Sequence, residues 1–212
     1  MKEKVSAIIE ILKDIYPNPV CALHYSKDYE LMIAVRLSAQ CTDARVNLVT
    51  PHLFAAYPTL EAMAAAPIEH VEELVHSCGF YKHKARDIVL ACQMLLEKHA
   101  GKVPGTMEEL LKLPGVGRKT ANLLLGDLFA VPGSVVCDTH CIRITGRLGI
   151  TDGSKDPLKV EQQLRACISP EESNDFCHRM VLHGRAVCIA RRPDCANCSL
   201  RLWCDHGGAA EH

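Results

Sequence analysis

Apolar residues along this chain recur at spacings of three and four rather than two, and that periodicity limits the fold more than any other feature. Val5, Ile8, Ile9, Leu12, Ile15 and Tyr16 share one face of a helix that Pro17 and Pro19 then stop. The same punctuation repeats downstream. Thr59 stands before LEAMAAA, Pro67 opens IEHVEELVHSC with Gly79 behind it, and a segment from Lys84 to His99 is closed by Gly101. Thr106 with Glu109 and Ser169 with Glu172 read as capping boxes, the second reinforced by Pro170, and Asp156 before Pro157 is a third start signal. No sustained period-two alternation rich in Val, Ile and Thr occurs, and no hairpin signal lies between two such runs. The pattern predicts an all-α fold of roughly ten helices with short connections.

At 212 residues the chain is long enough to bury a core without disulfides. A hydrophobic share of 48% with 23% charged residues excludes disordered, fibrous and membrane classes. Glu10, Lys13 and Asp14 interrupt the apolar N-terminus, and Asp127 and Pro132 break the stretch around Leu123 to Cys137, so neither a signal peptide nor a membrane span is expected. A cytosolic enzyme is the expectation. Softer breaks at Pro17 to Pro19 and Val131 to Ser134 leave a central helical block with both chain ends outside it, and the polar tail Gly207 to His212 is expected to fray. Twelve cysteines without an export signal point to reduced thiols and metal ligation rather than a disulfide framework. The formal charge of −1 leaves any nucleic-acid function to local patches.

The string LKLPGVGRKTANLLLG places Gly115 and Gly117 on either side of Val116, between two helical segments. Glycines there permit positive φ and a close backbone approach, and the unpaired N–H groups of the following helix suit a DNA phosphate. A bare G-x-G equally describes an ordinary turn between helices; the full LPGVGRKTA string is far more specific. Lys119 falls in the first turn of that helix, where the macrodipole disfavours a cation. An amine nucleophile must be neutral, which desolvation or positive surroundings such as the helix end and Arg118 bring about; a plain phosphate contact explains the spacing equally well. Asp138 follows an apolar run in SVVCDTHCIRITGRLG. It reads first as an N-cap, which does not exclude catalysis, since a carboxylate held there stays ionised.

Cys188, Cys195, Cys198 and Cys204 are separated by six, two and five residues. Four thiolates so close in sequence imply a metal centre, and spacing alone leaves structural zinc and an iron–sulfur cluster both open. Between Phe176 and Trp203 stand five arginines (179, 185, 191, 192 and 201) against one acid, Asp194, a local asymmetry suited to phosphates.

Taken together, LSAQCTDARVN, GFYKHKARDI, LPGVGRKTAN, VCDTHCIRITGRL, LHGR and the four-cysteine tail closely resemble the endonuclease III family, the bifunctional DNA glycosylases and AP lyases of the helix–hairpin–helix superfamily, over essentially the whole chain. The resemblance implies a helix–hairpin–helix DNA glycosylase fold of two helical domains with a cleft between them. One would be a six-helix block over residues 21–131, and the other a cluster domain from 1–20 plus 132–212. It implies a [4Fe–4S] cluster on Cys188, Cys195, Cys198 and Cys204, and catalytic roles for Lys119 and Asp138. The implied reaction flips an oxidised pyrimidine from double-stranded DNA. Lys119 attacks C1′, the base leaves, and the Schiff base promotes β-elimination that cuts the strand 3′ to the site; abasic sites are substrates too. Gln40 would fill the space left by the flipped nucleotide, and Phe80 stands where the family has a wedge that is often leucine. Gly115, Val116, Gly117, Arg118, Arg191 and Arg192 would contact DNA, the near-neutral pI of about 6.8 implying weak non-specific affinity. Asp43 reads as a helix cap, and Cys41, Cys137 and Cys141 as small buried hydrophobes beside the site. A monomer is expected. The rivals are a monofunctional adenine glycosylase, which generally lacks a lysine at this position, and a non-catalytic DNA-binding module with a redox-sensing cluster.

Overall fold

A computed structural model describes residues 1–208, and residues 209–212 of the tail expected to fray lie outside them. Among the described residues there are helices and no strands, in agreement with the apolar periodicity. In chain order the helices are α1 (Lys2–Ile15), α2 (Asp28–Ser38), α3 (Asp43–Ala56), α4 (Leu60–Ala64), α5 (Ile68–Val75), α6 (Tyr81–His99), α7 (Met107–Leu110), α8 (Arg118–Phe129), α9 (Thr139–Arg147), α10 (Pro157–Cys167), α11 (Ser173–Ala186) and α12 (Asp205–Gly208). No helix among the described residues is long and apolar enough to cross a membrane. The chain divides into two compact units, Cys21–Phe129 and Met1–Val20 with Ala130–His212.

The unit Cys21–Phe129 is built around α2, which is buried from Tyr29 through Val35 and again at Leu37. Even Glu30 lies inside, its carboxylate accepting the N–H groups of Ser26 and Lys27 at 2.8 and 3.2 Å. The long α6 packs against α2, α4 and α5 through Ala85, Ile88, Val89, Cys92 and Leu95. Thr59 and Thr106 cap α4 and α7 as their sequences predict. Two details differ from the sequence reading. Thr42 caps α3, so Asp43 occupies the first helical turn instead of the cap. And α6 starts at Tyr81 rather than Lys84, because Gly79 (φ 69°) and Phe80 (φ 47°) turn the chain into the helix early.

In the other unit, α1 packs on α11, and α11 on α9. Val5, Ile8, Ile9 and Leu12 are the buried face of α1, the face the periodicity assigned. Behind them lies a polar knot. Arg179, only 3% exposed, donates to Tyr16 O at 3.2 Å and pairs with Asp175 and Glu172, while Lys13 pairs with Glu172 at 2.7 Å. Two expectations change here. Glu172 is drawn into these ion pairs, Ser169 makes no side-chain cap bond, and Pro170–Glu172 forms a 3₁₀ turn before α11 begins. Arg179 is a structural cation and no part of a phosphate-binding surface. Asp156 caps α10 as predicted, its Oδ1 accepting from the N–H of Leu158.

Candidate functional site

The connection from α7 to α8 is the predicted glycine-flanked turn. Gly115 has φ 73°, a region L side chains rarely enter, and a Cβ there would lie 2.5 Å from Arg36 Nε and 2.8 Å from Asp87 Oδ2. Arg36 of α2 and Asp87 of α6 meet beneath it, with Nε and Nη2 donating to Oδ2 at 2.8 and 2.7 Å. The close approach that requires glycine is therefore to this ion pair. Gly117 is different: its φ is not positive, and a Cβ would meet nothing within 4 Å. It keeps open space at the first turn of α8, where the leading N–H groups have no intrahelical acceptor.

Val116, expected at the DNA, is turned inward. It is 8% exposed and its N–H donates to Leu113 O at 3.1 Å, so it shapes the turn rather than offering a donor. Arg118 and Lys119 are both exposed in the first turn of α8. Protein packing thus does not supply the desolvation considered for Lys119, and any covering of that amine has to come from what binds over it.

Gln40 and Phe80 are both exposed and both left-handed, with φ 55° and 47°. A bulky ring that is 64% exposed on a strained backbone gains nothing for folding. Outliers of this kind cluster at functional positions. The turns that carry the two residues follow α2 and the 3₁₀ segment His76–Cys78 that extends α5. Lys84, given no role by its sequence, is 1% exposed with its amine between these turns.

Asp138 is the N-cap of α9, its Oδ1 accepting from Cys141 N–H at 2.7 Å. That bond fixes the carboxylate at the positive end of the helix. Beneath it Cys137 and Cys141 are 6% and 0% exposed, and Cys177 Sγ accepts the Val136 N–H at 3.2 Å. These three thiols are packing groups; hydrogen bonds with Cys137 and Cys177, together with burial, push the Cys141 thiol well up. Cys41 is half-buried.

Cys188, Cys195, Cys198 and Cys204 line one recess of about 330 Å³, part of it open to solvent, together with Ile144, His183 and Leu200. None of the twelve cysteines is in a disulfide. Among the described residues, no three or more His, Cys, Asp or Glu side chains converge so as to hold a single metal ion. Arg147 braces the recess, donating to Cys188 Sγ at 3.2 Å, Ile189 O at 3.1 Å and Ala190 O at 2.8 Å. Arg143 donates to Cys188 O at 2.9 Å, and His183 Nε2 lies 3.6 Å from Cys198 Sγ. Burial lowers the His183 pKa. The braced backbone leads directly into Arg191 and Arg192, both exposed. Arg147 and Arg143 escaped the sequence reading because basic residues on a helix read as solvated. Arg36 and Asp87, 51 positions apart, gave no signal at all.

A sequence profile described as "HhH-GPD superfamily base excision DNA repair protein" matches residues 33–170, which contain the hairpin, Lys119 and Asp138. Endonuclease III of Synechocystis sp. is 44% identical over 209 residues, covering 99% of this chain and 95% of that protein. Endonuclease III of Escherichia coli K12 is 39% identical over 205 residues, covering 97% and 96%. Among solved structures, a trapped endonuclease III–DNA covalent intermediate in an estranged-adenine complex superposes with a TM-score of 0.93 at 41% identity, covering 99% of this chain and 98% of that one. With its helical fold, glycine-flanked turn and four-cysteine recess, this chain belongs to the HhH-GPD superfamily of base excision DNA repair proteins and, within it, to the endonuclease III family.

Proposed function

We infer that this chain is a DNA glycosylase with AP lyase activity that works in base excision repair on double-stranded DNA, removing oxidised pyrimidines and cutting at abasic sites. The observation that carries the reading is the pairing of Lys119, an exposed amine at the open first turn of α8, with a 41% identical fold described as a trapped covalent DNA intermediate. A covalent intermediate needs a nucleophile, and a lysine offers an amine able to form a Schiff base with an aldehyde carbon.

In this reading the open backbone at Gly117 and the N–H groups that begin α8 hold a phosphate, with Arg118 adding charge, and Arg191 and Arg192 of the other unit bind DNA phosphates of their own. Gly115 acts by shaping the turn rather than by touching DNA. Lys119 Nζ bonds to C1′ as the glycosidic C1′–N bond breaks, and the base leaves with a proton. Opening of the sugar gives a protonated imine, which acidifies C2′–H; loss of that proton breaks the C3′–O bond and releases the 3′ strand with its 5′-phosphate. Water then hydrolyses the imine and frees Lys119. Asp138 is assigned to accepting the Lys119 proton and stabilising positive charge on the sugar. Asp138→Asn retains an N-cap of similar strength. Base removal is therefore expected to fall about a hundredfold or more with little change in stability, read by single-turnover kinetics beside urea unfolding.

We assign the cysteine recess to a [4Fe–4S] cluster rather than to zinc. A single zinc ion would draw all four thiolates to about 2.3 Å from one point, whereas a cubane takes one thiolate on each of four irons around a wider centre. Cys188, Cys195, Cys198 and Cys204 would hold it, with an Arg147 N–H group and the His183 ring facing sulfur. When bound, the cluster supplies a redox-capable scaffold that fixes the loop bearing Arg191 and Arg192. Iron and acid-labile sulfide analysis is expected to find about four of each per chain, with broad visible absorbance; a colourless, zinc-containing protein would refute the assignment.

The activity is tested on a panel of duplexes containing thymine glycol, other oxidised pyrimidines, 8-oxoguanine paired with adenine, or an abasic site, scoring base release and nicking separately. Release and nicking at oxidised pyrimidines are expected. Adenine release without nicking would favour a monofunctional glycosylase, and tight binding with neither product a non-catalytic module.

A further inference from the structure

Lys84 stands one turn into α6, in the basic stretch KHKARD that reads as a solvated face, yet it is 1% exposed. Its Nζ donates to Leu37 O and to Cys78 O, each at 2.8 Å. These carbonyls end two separate helical segments, Leu37 in the last turn of α2 and Cys78 at the close of the 3₁₀ segment extending α5. Helix C-termini present unpaired carbonyls and the negative end of the dipole, so a cation between two of them is doubly favoured. The end of α2 is arranged for it: Cys41 N–H bonds to Ser38 O rather than Leu37 O, which leaves Leu37 O to the ammonium. Burial still holds the Lys84 pKa below the usual lysine range, a cost not explained by surface solvation or by any exposed charge partner.

Three residues beyond Leu37 is Gln40, and two beyond Cys78 is Phe80, both exposed and both held in left-handed conformations. The rings of His76 and Tyr81, with centroids 4.4 Å apart, bracket the second turn. We propose that Lys84 is a positioning residue for the DNA-probing step: its ammonium ties the Gln40 turn to the Phe80 turn, so that the two side chains enter the duplex as one rigid pair. The proposal rests on the assignment of Gln40 and Phe80 to the displaced nucleotide. Lys84 itself, being buried, acts only through them.

A double-mutant cycle tests it on a duplex with 2-aminopurine opposite thymine glycol, whose fluorescence rise in stopped flow reports unstacking at the lesion before base removal. Lys84→Met, which leaves both carbonyls without a donor, is expected to slow the rise about tenfold. Gln40→Ala with Phe80→Ala is expected to slow it at least as much, and adding Lys84→Met to that pair should slow it no further. Lys84→Gln, whose amide keeps two N–H donors, is expected to recover most of the rate. Wild-type kinetics in Lys84→Met, an independent further loss in the triple variant, or Lys84→Gln as slow as Lys84→Met would overturn the proposal. Wild-type kinetics in the Gln40/Phe80 pair would instead refute the assignment of those two residues. Should Lys84→Met not fold, Lys84→Ala, which leaves room for water at the two carbonyls but no tie between the turns, carries the same cycle, coupling supporting the proposal and additivity overturning it.

Discussion

Lys119→Ala is expected to abolish the adduct that borohydride traps between wild-type protein and thymine-glycol DNA, and to lower base release and nicking by at least about a thousandfold. The size of the loss follows from the amine's place in both halves of the reaction. It forms the bond that displaces the base, and the resulting imine is what makes the C2′ proton removable. The substitution touches little else: Lys119 is exposed, and alanine is at least as good a helix former at that position. Affinity for duplex carrying a tetrahydrofuran abasic analogue should therefore fall by no more than a few-fold, since the phosphate-facing backbone remains. An adduct that persisted in Lys119→Ala would place the nucleophile elsewhere.

Gly115→Ala is the second large effect, and it acts on stability. The left-handed backbone alone costs an alanine about 1–2 kcal/mol, and a Cβ at 2.5 Å from Arg36 Nε must displace the Arg36–Asp87 pair as well. A loss of about 2–4 kcal/mol is expected in urea unfolding. Gly117→Ala is its control, because the Cβ enters open space on a backbone that tolerates it. Its stability should stay within about 0.5 kcal/mol of wild type, while affinity for the abasic-analogue duplex falls about tenfold as the methyl group meets the phosphate. If Gly117→Ala bound normally, the open turn would have no part in holding DNA. Two glycines with the same sequence environment are thus separated by what lies beneath each of them.

The contrast marks how far the sequence carried. Most helix starts at which a side chain bonds its own backbone were legible: Thr59, Thr106, Asp138 and Asp156 all cap as their local sequence requires, while at α3 the cap is Thr42, one residue before the Asp43 that the sequence suggested. The Ser169–Glu172 box failed because Glu172 has better partners in Lys13 and Arg179, distant in sequence, and a local rule does not register them. At the site, the four cysteines and the glycine-flanked turn could be read because their spacing is local. The burial of Lys84, the ion pair under Gly115 and the bracing of the cysteine loop by Arg147 could not, since each joins residues tens of positions apart and each uses a charged residue that composition assigns to the surface. Val116 illustrates the same limit, for its place in a motif says nothing about which way its side chain turns.

The bond between Arg179 and Tyr16 spans 163 positions of chain. During synthesis the first helix therefore emerges with its apolar face exposed and waits for its partner. At roughly 5–20 residues per second that delay is about ten to thirty seconds, during which the segment Cys21–Phe129 can already collect its own core. One half of the molecule is thus free to fold as it is made, while the other closes only near the end of translation, and a nascent chain stalled before Arg179 should present α1 as its most adhesive, protease-sensitive segment.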